Sequence, residues 1–375
     1  MMPGPGVIGM GMGEKRAVDR PQRIDIKSAG ATTKSGGRAH QQLFGTHDRH
    51  IGMDLPDSNP MLAMIASAAL PISSGDLIAD RRYAIARELE RRGELAAAAD
   101  VLAQALERAP GFCVAWFALA DVRERLGDRL GAGEAFRRAL ALDPEDAQGA
   151  GLRLARLEAR NAPMPSAYVR TLFDQYAPRY DHALVAALAY RAPRLLRDAV
   201  ERTQAARGRP FRFRRMLDLG CGTGLAGKAF AQLCDTMFGI DLSPAMIEQA
   251  RCKNLYRDLH VADLNEALGR EQEPADLIVA ADAFVYLADL APVCRAAARV
   301  LEGGGLFAFT TETHDGAGVV LSEKLRYAHS AEHVRGALEA AGLCVLTLVV
   351  ASPRTENAVP VPGLVVVAGR HAGSG

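Results

Sequence analysis

The chain has 375 residues, 49% of them hydrophobic, with 45 basic side chains against 44 acidic ones and a formal net charge of +1. That length accommodates two domains with real cores, and so even a charge balance gives no strong nucleic-acid signal and no ground for a membrane-surface partner. The six cysteines (Cys113, Cys221, Cys234, Cys252, Cys294, Cys344) are scattered without a CxxC pair or an interleaved histidine spacing, so they read as reduced thiols and no metal site is expected.

From Met1 to about Pro60 there is neither a helical nor an alternating apolar period, and tracts such as GVIGMGMG bury too little surface to offset their ordering entropy. Residues 1–77 are therefore expected to be a disordered leader; a second reading starts translation at Met61 or Met64. The apolar stretch Met61 to Ile72 is interrupted by Pro71 and falls short of the roughly 20 residues a membrane span needs. No basic start leads into an apolar run, so a secretory signal is not expected and a cytoplasmic location follows by default.

Over 78–160 two prolines 34 residues apart, Pro110 and Pro144, each close a pair of amphipathic helices, the period of a tetratricopeptide repeat. In the second copy Trp116, Leu119, Ala120, Gly127, Ala132, Phe136, Ala139 and Pro144 fall at that repeat's large, small, turn and stop positions. Ile85, Ala86, Leu89, Gly93, Ala98, Leu102, Ala105 and Pro110 fall there in the first. Small alanines let two helices approach, glycine turns the chain, and proline stops a helix where its missing N–H does least harm. Ala147 to Arg160 reads as a third first-helix that caps the stack.

Pro163 and Pro165 mark a boundary, followed by a helical segment from Ala167 to about Ala206. Beyond Pro210, Met216–Leu219, Met237–Ile240, Leu277–Ala281 and Leu306–Thr311 read as buried strands. Helices are expected between them at Leu225–Leu233, Pro244–Arg251 and Leu290–Leu301. That alternation predicts a mostly parallel sheet with helices on both faces over 166–375. Val345–Val350 and Leu364–Ala368 predict an antiparallel hairpin at the sheet edge.

MLDLGCGTG carries a strand through Asp218 into Gly220, Gly222 and Gly224, where missing Cβ atoms let the backbone approach a ligand at a strand's carboxyl end. In FGIDLSPAMIEQAR, Asp241 ends the next strand, where a carboxylate can accept both hydroxyls of a ribose. Gly222, Gly224 and Gly227 also spell GxGxxG, so a nicotinamide nucleotide is a rival ligand. Asp218, two residues before the first glycine, repels a pyrophosphate but tolerates an ammonium or a sulfonium.

LDLGCGTG, GIDLSPAMIEQAR, VADLNE, ADLIVAADAFVYL and LFAFTTE, in this order over Met216 to Arg370, resemble the class I S-adenosylmethionine-dependent methyltransferases. With the repeats and YVRTLFDQYAPRYDHAL the chain resembles bacterial methyltransferases that carry N-terminal tetratricopeptide repeats. The resemblance implies a Rossmann-like α/β fold with a seven-stranded, mostly parallel sheet, preceded by an all-α repeat module, and S-adenosyl-L-methionine as the cofactor. It implies that Asp218, Gly220, Cys221, Gly222 and Gly224 line the methionine part, that Asp241 holds the ribose, and that Leu242 and Met246 flank the adenine. Asp263, beside Leu264, falls where the family bonds the adenine amino group. Ala281 and Phe284 fall on a strand end facing the transferred methyl, and Tyr176 and Tyr180 fall in a lid over the cofactor, where aromatic faces suit a sulfonium.

No nucleophile is obligatory in such a transfer, since alignment and desolvation carry much of the rate, and catalytic residues stay unassigned. Glu312, His314 and His329 are candidate bases, each read first as surface or capping structure, with Ser330 as a helix N-cap. Cys221 reads as a small filler. The arginines of Arg191 to Arg215 read as a solvated face and linker, with a patch for an anionic partner as the alternative. The methyl acceptor is unidentified, a small molecule being favoured over a protein recruited through the repeats; a cofactor-binding sensor without turnover is the remaining alternative.

Overall fold

The computed structural model describes residues 73–182 and 189–370. The expected leader therefore lies outside the described residues as far as residue 72.

Among the described residues five helices come first: α1 (Leu77–Arg91), α2 (Leu95–Arg108), α3 (Cys113–Arg125), α4 (Arg129–Leu142) and α5 (Ala150–Leu157). Asp76 caps α1 by accepting the backbone N–H groups of Ile78 and Ala79 at 2.8 and 2.9 Å. Gly93 and Gly127, at φ +79° and +83°, turn α1 into α2 and α3 into α4. Between the helices lie Ala86, Ala98, Leu102, Ala105, Ala120, Ala132 and Phe136, all buried in one continuous core. Two residues depart from the expected pattern. Ile85 is 48% exposed, on the outer face of α1, and Trp116 is half-buried with its indole N–H donating to the Pro110 carbonyl at 2.8 Å.

The helix expected from Ala167 to about Ala206 is split. α6 (Ser166–Tyr176) gives way to a 3-10 turn at Ala177–Arg179 that holds Pro178, and α7 runs Ala192–Ala206. Proline has no N–H to carry the helical ladder onward.

The α/β segment adds α8 (Leu225–Phe230), α9 (Pro244–Arg251), α10 (Leu264–Arg270), α11 (Ala291–Val300) and α12 (Ala331–Ala340). Its strands are β1 (Phe213–Leu219), β2 (Cys234–Asp241), β3 (Asp258–Val261), β4 (Ala275–Ala280), β5 (Leu301–Glu312), β6 (Val319–Leu321), β7 (Tyr327–His329), β8 (Leu343–Val350), β9 (Thr355–Glu356), β10 (Val359–Pro360) and β11 (Gly363–Arg370). The main path runs β3-β2-β1-β4-β5-β11-β8, with β7 pairing to β5 and β6 to β7, so among the described residues the sheet has nine strands rather than the seven expected. The two extra strands are three residues each, too short to show a period. β9 and β10 form a separate small hairpin. The last two long strands do pair antiparallel, but β11 is not at the edge: it lies between β5 and β8, antiparallel to both.

Both faces of the sheet are covered, and side chains alternate between them along the regular stretches of the strands. Leu217, Ile278, Phe307, Phe309 and Val366 enter one core with α11 and α12. Met216, Leu277, Val279, Leu306 and Val365 enter the other with α7 and α8. Among the described residues no helix is long and apolar enough to cross a membrane.

The helical array is seated on the α/β segment. Leu152 of α5, Tyr168 and Leu172 of α6, and Leu325 between β6 and β7 form a common buried cluster. Arg156 donates to the Glu323 carbonyl at 2.8 Å, Asn161 donates to that of Val319 at 3.1 Å, and the Tyr327 hydroxyl bonds the Ala162 carbonyl. Gly149 makes the junction possible: it sits at φ +77°, and a Cβ there would stand 2.8 Å from the Tyr168 ring.

Gly149→Ala is expected to cost about 1–3 kcal/mol in urea unfolding. Gly208→Ala, at φ +62° with open space around it, is expected to cost only about 1 kcal/mol. Equal losses at the two positions would mean that the Tyr168 contact contributes nothing.

Candidate active site at the carboxyl ends of the parallel strands

Strand order reverses between β1 and β4, which leaves a crevice outside their carboxyl ends. There the chain turns in left-handed steps: Gly220 at φ +66°, Gly222 at +53° and Gly224 at +89° after β1, and Asp282 at +61° after β4. A Cβ on Gly220 would stand 2.6 Å from that of Ala283, so only glycine lets the β1 loop lie against the β4 loop. The cavity here encloses about 110 Å³ and is covered by α6.

Of the residues anticipated from the sequence, Gly220, Gly222, Asp241, Leu242, Asp263, Leu264, Ala281 and Tyr180 line this cavity. Asp218, Cys221, Gly224, Met246 and Tyr176 are not part of the lining. Asp218 is fully buried and accepts the Tyr256 hydroxyl at 2.6 Å. The Tyr256 ring also covers Gly224, 3.1 Å from where a Cβ would be. Cys221 packs on Gly239, and burial pushes its thiol pKa well above the usual value, so it stays a thiol. Met246 is buried in α9, and the Tyr176 ring meets that of Tyr180 edge-on at 6.3 Å. Phe284 was expected to face the transferred methyl. It is instead fully buried against Phe307 and Phe309, because a 3-10 turn at Phe284–Tyr286 aims it into the core. Tyr286 lines the cavity instead.

Sequence reasoning missed Met164, Ser166, Val169 and Phe173 on and before α6, as well as Asp282, Ala283, Tyr286 and Leu287 after β4. The β4 group had a signal, an acid directly after a buried strand at the switch point. The α6 group had only a helical period, which does not say what the helix covers.

Asp241 accepts the Gly222 N–H at 2.8 Å on one carboxylate oxygen and the Ser243 N–H at 2.9 Å on the other. It thereby ties the glycine loop to the end of β2. Asp263 caps α10, accepting from Asn265 at 2.8 Å and Glu266 at 3.3 Å. α6 and the turn that follows it are each fastened down at one point. Asp174 accepts the Ser243 hydroxyl and the Ala245 N–H. Asp181 bonds Thr223 of the glycine loop and pairs with Lys253 at 2.6 Å.

The candidate bases prove to be structural. Glu312 is buried and bonds both Arg326 and Arg354. His329 is fully buried, its two ring nitrogens 2.9 Å from the Thr311 hydroxyl and 2.9 Å from the Leu287 carbonyl, and burial lowers its pKa to about 4, so it is neutral. Ser330 does cap α12, accepting from His333 at 3.1 Å. His314 bonds its own loop, at Gly316 and Gly318. The arginines of the expected patch are largely spent on neighbours: Arg191 on the Ser352 carbonyl, Arg207 and Arg209 on that of Gly304, Arg212 on Asp235, Arg214 on Glu302 and Arg215 on Glu271.

Burial raises the Asp218 pKa to about 7, against the lowering by Tyr256, and raises that of Asp241 to about 6, against its backbone donors. Asp146, buried at the α5 junction, is likewise raised to about 6. These carboxyls hold protons in the folded chain over a range in which the unfolded chain has released them. The folded state therefore binds more protons between about pH 4 and about pH 7, and stability falls as pH rises through that window. The melting temperature of the ligand-free protein is expected to drop between about pH 5 and about pH 7.5, and Asp218→Asn to flatten part of the drop. A melting temperature that climbs across this range would contradict the assignment.

Residues 217–309 match a family described as a methyltransferase domain. Methyltransferase-like protein 27 of Homo sapiens is 35% identical over 193 residues, covering 50% of this chain and 73% of the relative. The ubiquinone biosynthesis O-methyltransferase of Chelativorans sp. is 33% identical over 106 residues, which covers 28% of this chain and 42% of the relative. The aklanonic acid methyltransferase DauC of Streptomyces sp. is 32% identical over 152 residues, 38% of this chain and 64% of the relative. The last two matches thus span less than two thirds of the relatives' length. With a glycine loop, a strand-end acid and a parallel sheet built as above, the chain belongs to the class I S-adenosylmethionine-dependent methyltransferases.

Proposed function

We propose that this chain methylates a small-molecule acceptor in the cavity above β1–β4. S-adenosylmethionine supplies a methyl group on a sulfonium. Gly220 and Gly222 receive its methionine part, Asp241 accepts the ribose hydroxyls, Leu242 and Leu264 flank the adenine, and Asp263 accepts the adenine amino group. Ala281 borders the methyl, and Tyr180 covers the cofactor. Asp218, Cys221, Gly224, Met246 and Tyr176 hold these groups in place from behind.

The observation that carries this reading is the Asp241 carboxylate, whose two oxygens are each fixed by a backbone N–H while the residue lines the cavity. An acceptor pair fixed in this way costs little to align with two adjacent hydroxyls. Burial and the neighbouring Tyr286, Asp282 and Asp241 raise the Tyr180 pKa well above the usual value, so it presents a neutral aromatic ring and hydroxyl.

A small acceptor is favoured because α6 roofs the cavity and the helical array is already engaged with the chain's own α/β segment through Arg156, Asn161 and Tyr327. Two relatives are also named for small molecules, ubiquinone and aklanonic acid. Domain limits of 78–160 for the tetratricopeptide-like array and 166–375 for the catalytic part belong to this proposal.

Calorimetric titration should give micromolar binding of S-adenosylmethionine and S-adenosylhomocysteine and none of reduced nicotinamide nucleotide. Asp241→Ala should weaken both adenosyl ligands about 100-fold, as expected for two charge-assisted hydrogen bonds. Unchanged affinity in the variant would remove the ribose from Asp241.

A further inference from the structure

The rim of the cavity after β4 is built around Asp282, whose conformation is held by tertiary contacts. It adopts φ +61°, a region that a non-glycine residue occupies only when its surroundings enforce it. The enforcement is visible. Its N–H donates to the Thr310 hydroxyl at 2.8 Å, and one carboxylate oxygen, Oδ2, pairs with Arg354 from the loop after β8. Arg354 is 4% exposed and also bonds Glu312 and Glu356, while Arg326 bonds the same two glutamates and Lys324 pairs with Glu356. Three carboxylates thus face three cations.

The other Asp282 oxygen, Oδ1, is buried and has no hydrogen-bond partner, although the residue lines the cavity. An unpartnered buried carboxylate oxygen is costly unless a ligand supplies the donor. Around it the lining is aromatic: Phe173 meets Tyr180 at 6.0 Å and Tyr286 at 5.3 Å, ring centre to ring centre. Among the described lining residues Asp282 is the acid that the cofactor placement leaves unassigned, and none of them is a lysine, arginine or histidine. Aromatic faces with carboxylates suit a positive charge and repel an anion.

Resting on the cofactor placement proposed above, we infer that Asp282 Oδ1 anchors the acceptor and that the acceptor is an amine. The glycine loop touches the β4 loop at Ala283, so a methionine moiety in that loop brings its sulfonium beside residues 281–283. The acceptor enters as its ammonium, loses one proton to water and, now neutral, donates an N–H to Oδ1 while its lone pair forms the new bond to the methyl carbon. The carbon–sulfur bond breaks with its electron pair remaining on sulfur, leaving a thioether. The positive charge passes from sulfur to nitrogen, and the new ammonium later loses its proton to water. No base is required during the displacement, in keeping with a site where His329 is neutral and bonded and the Asp282 carboxylate is held by Arg354.

Sinefungin tests this, because a carbon bearing an amino group replaces the sulfonium and its methyl, so an ammonium points where the methyl would go. By calorimetry the wild-type protein should bind sinefungin about tenfold or more tightly than S-adenosylhomocysteine, the value of one hydrogen bond to a charged group. Asp282→Asn should remove that preference and leave the S-adenosylhomocysteine affinity unchanged. Equal wild-type affinities for the two ligands overturn the inference without any variant, and so does a preference that survives in a folded Asp282→Asn. Failure of the wild-type protein to bind S-adenosylhomocysteine at all would instead overturn the cofactor placement beneath it.

Discussion

Asp241 receives a backbone N–H on each carboxylate oxygen, from Gly222 on one side and from Ser243 on the other, and much of the site is assembled through that pair of bonds. The Gly222 bond fixes the height of the β1 loop against the end of β2. The Ser243 bond fixes the start of α9, whose N-terminal turn Ser243 caps by accepting from Met246. The Ser243 hydroxyl in turn donates to Asp174 of α6. One strand-end acid therefore links floor, wall and roof of the cavity in a continuous chain of short hydrogen bonds. The same acid sits where burial makes its charge costly, which is the tension that a bound ligand with two hydroxyls relieves.

On the far side of the cavity a different device does the positioning. Along the main path of the sheet β11 follows β5 and is antiparallel to both β5 and β8, and the loop between β8 and β11 carries Arg354 back to the end of β4. A buried arginine bonded to three carboxylates is weak evidence of a gain in stability, since apolar residues of the same volume often serve a core as well. What it fixes is geometry: the fork of the guanidinium sets the orientation of Asp282, Glu312 and Glu356 together. The region around β6 and β7 is held at the same place, and it is there that the helical array is seated, through Tyr327 and the cluster of Leu152, Tyr168, Leu172 and Leu325.

The array therefore has a structural partner within its own chain. α5 carries Arg153 buried against Asp121 and Glu124 of α3 and ends beside the loop that leads to α6, so the position of the roof helix depends on the position of the stack. A helical array seated in this way supports the pocket by fixing one wall of it.

The sequence by itself determined the elements whose signal is local. Alternating apolar strands, the glycine run after Asp218, Asp241 at the next strand end, and the 34-residue spacing of Pro110 and Pro144 all express short-range physics: period, turn conformation, helix termination. Those signals were enough to place Gly220, Gly222, Asp241, Asp263 and Ala281 around one crevice, because a parallel strand order puts successive strand ends side by side. The tertiary structure decided whatever depended on contacts between distant segments. β11 inserts beside β5 rather than forming the edge, a choice made by pairing energies that no local period encodes. Phe284 turns into the core and Tyr286 into the cavity because a single 3-10 turn rotates the chain. Arg354, some seventy residues after Asp282 in the sequence, reaches it only because β8 and β11 fold back across the sheet, and a charge pair of that separation leaves no trace in composition or spacing.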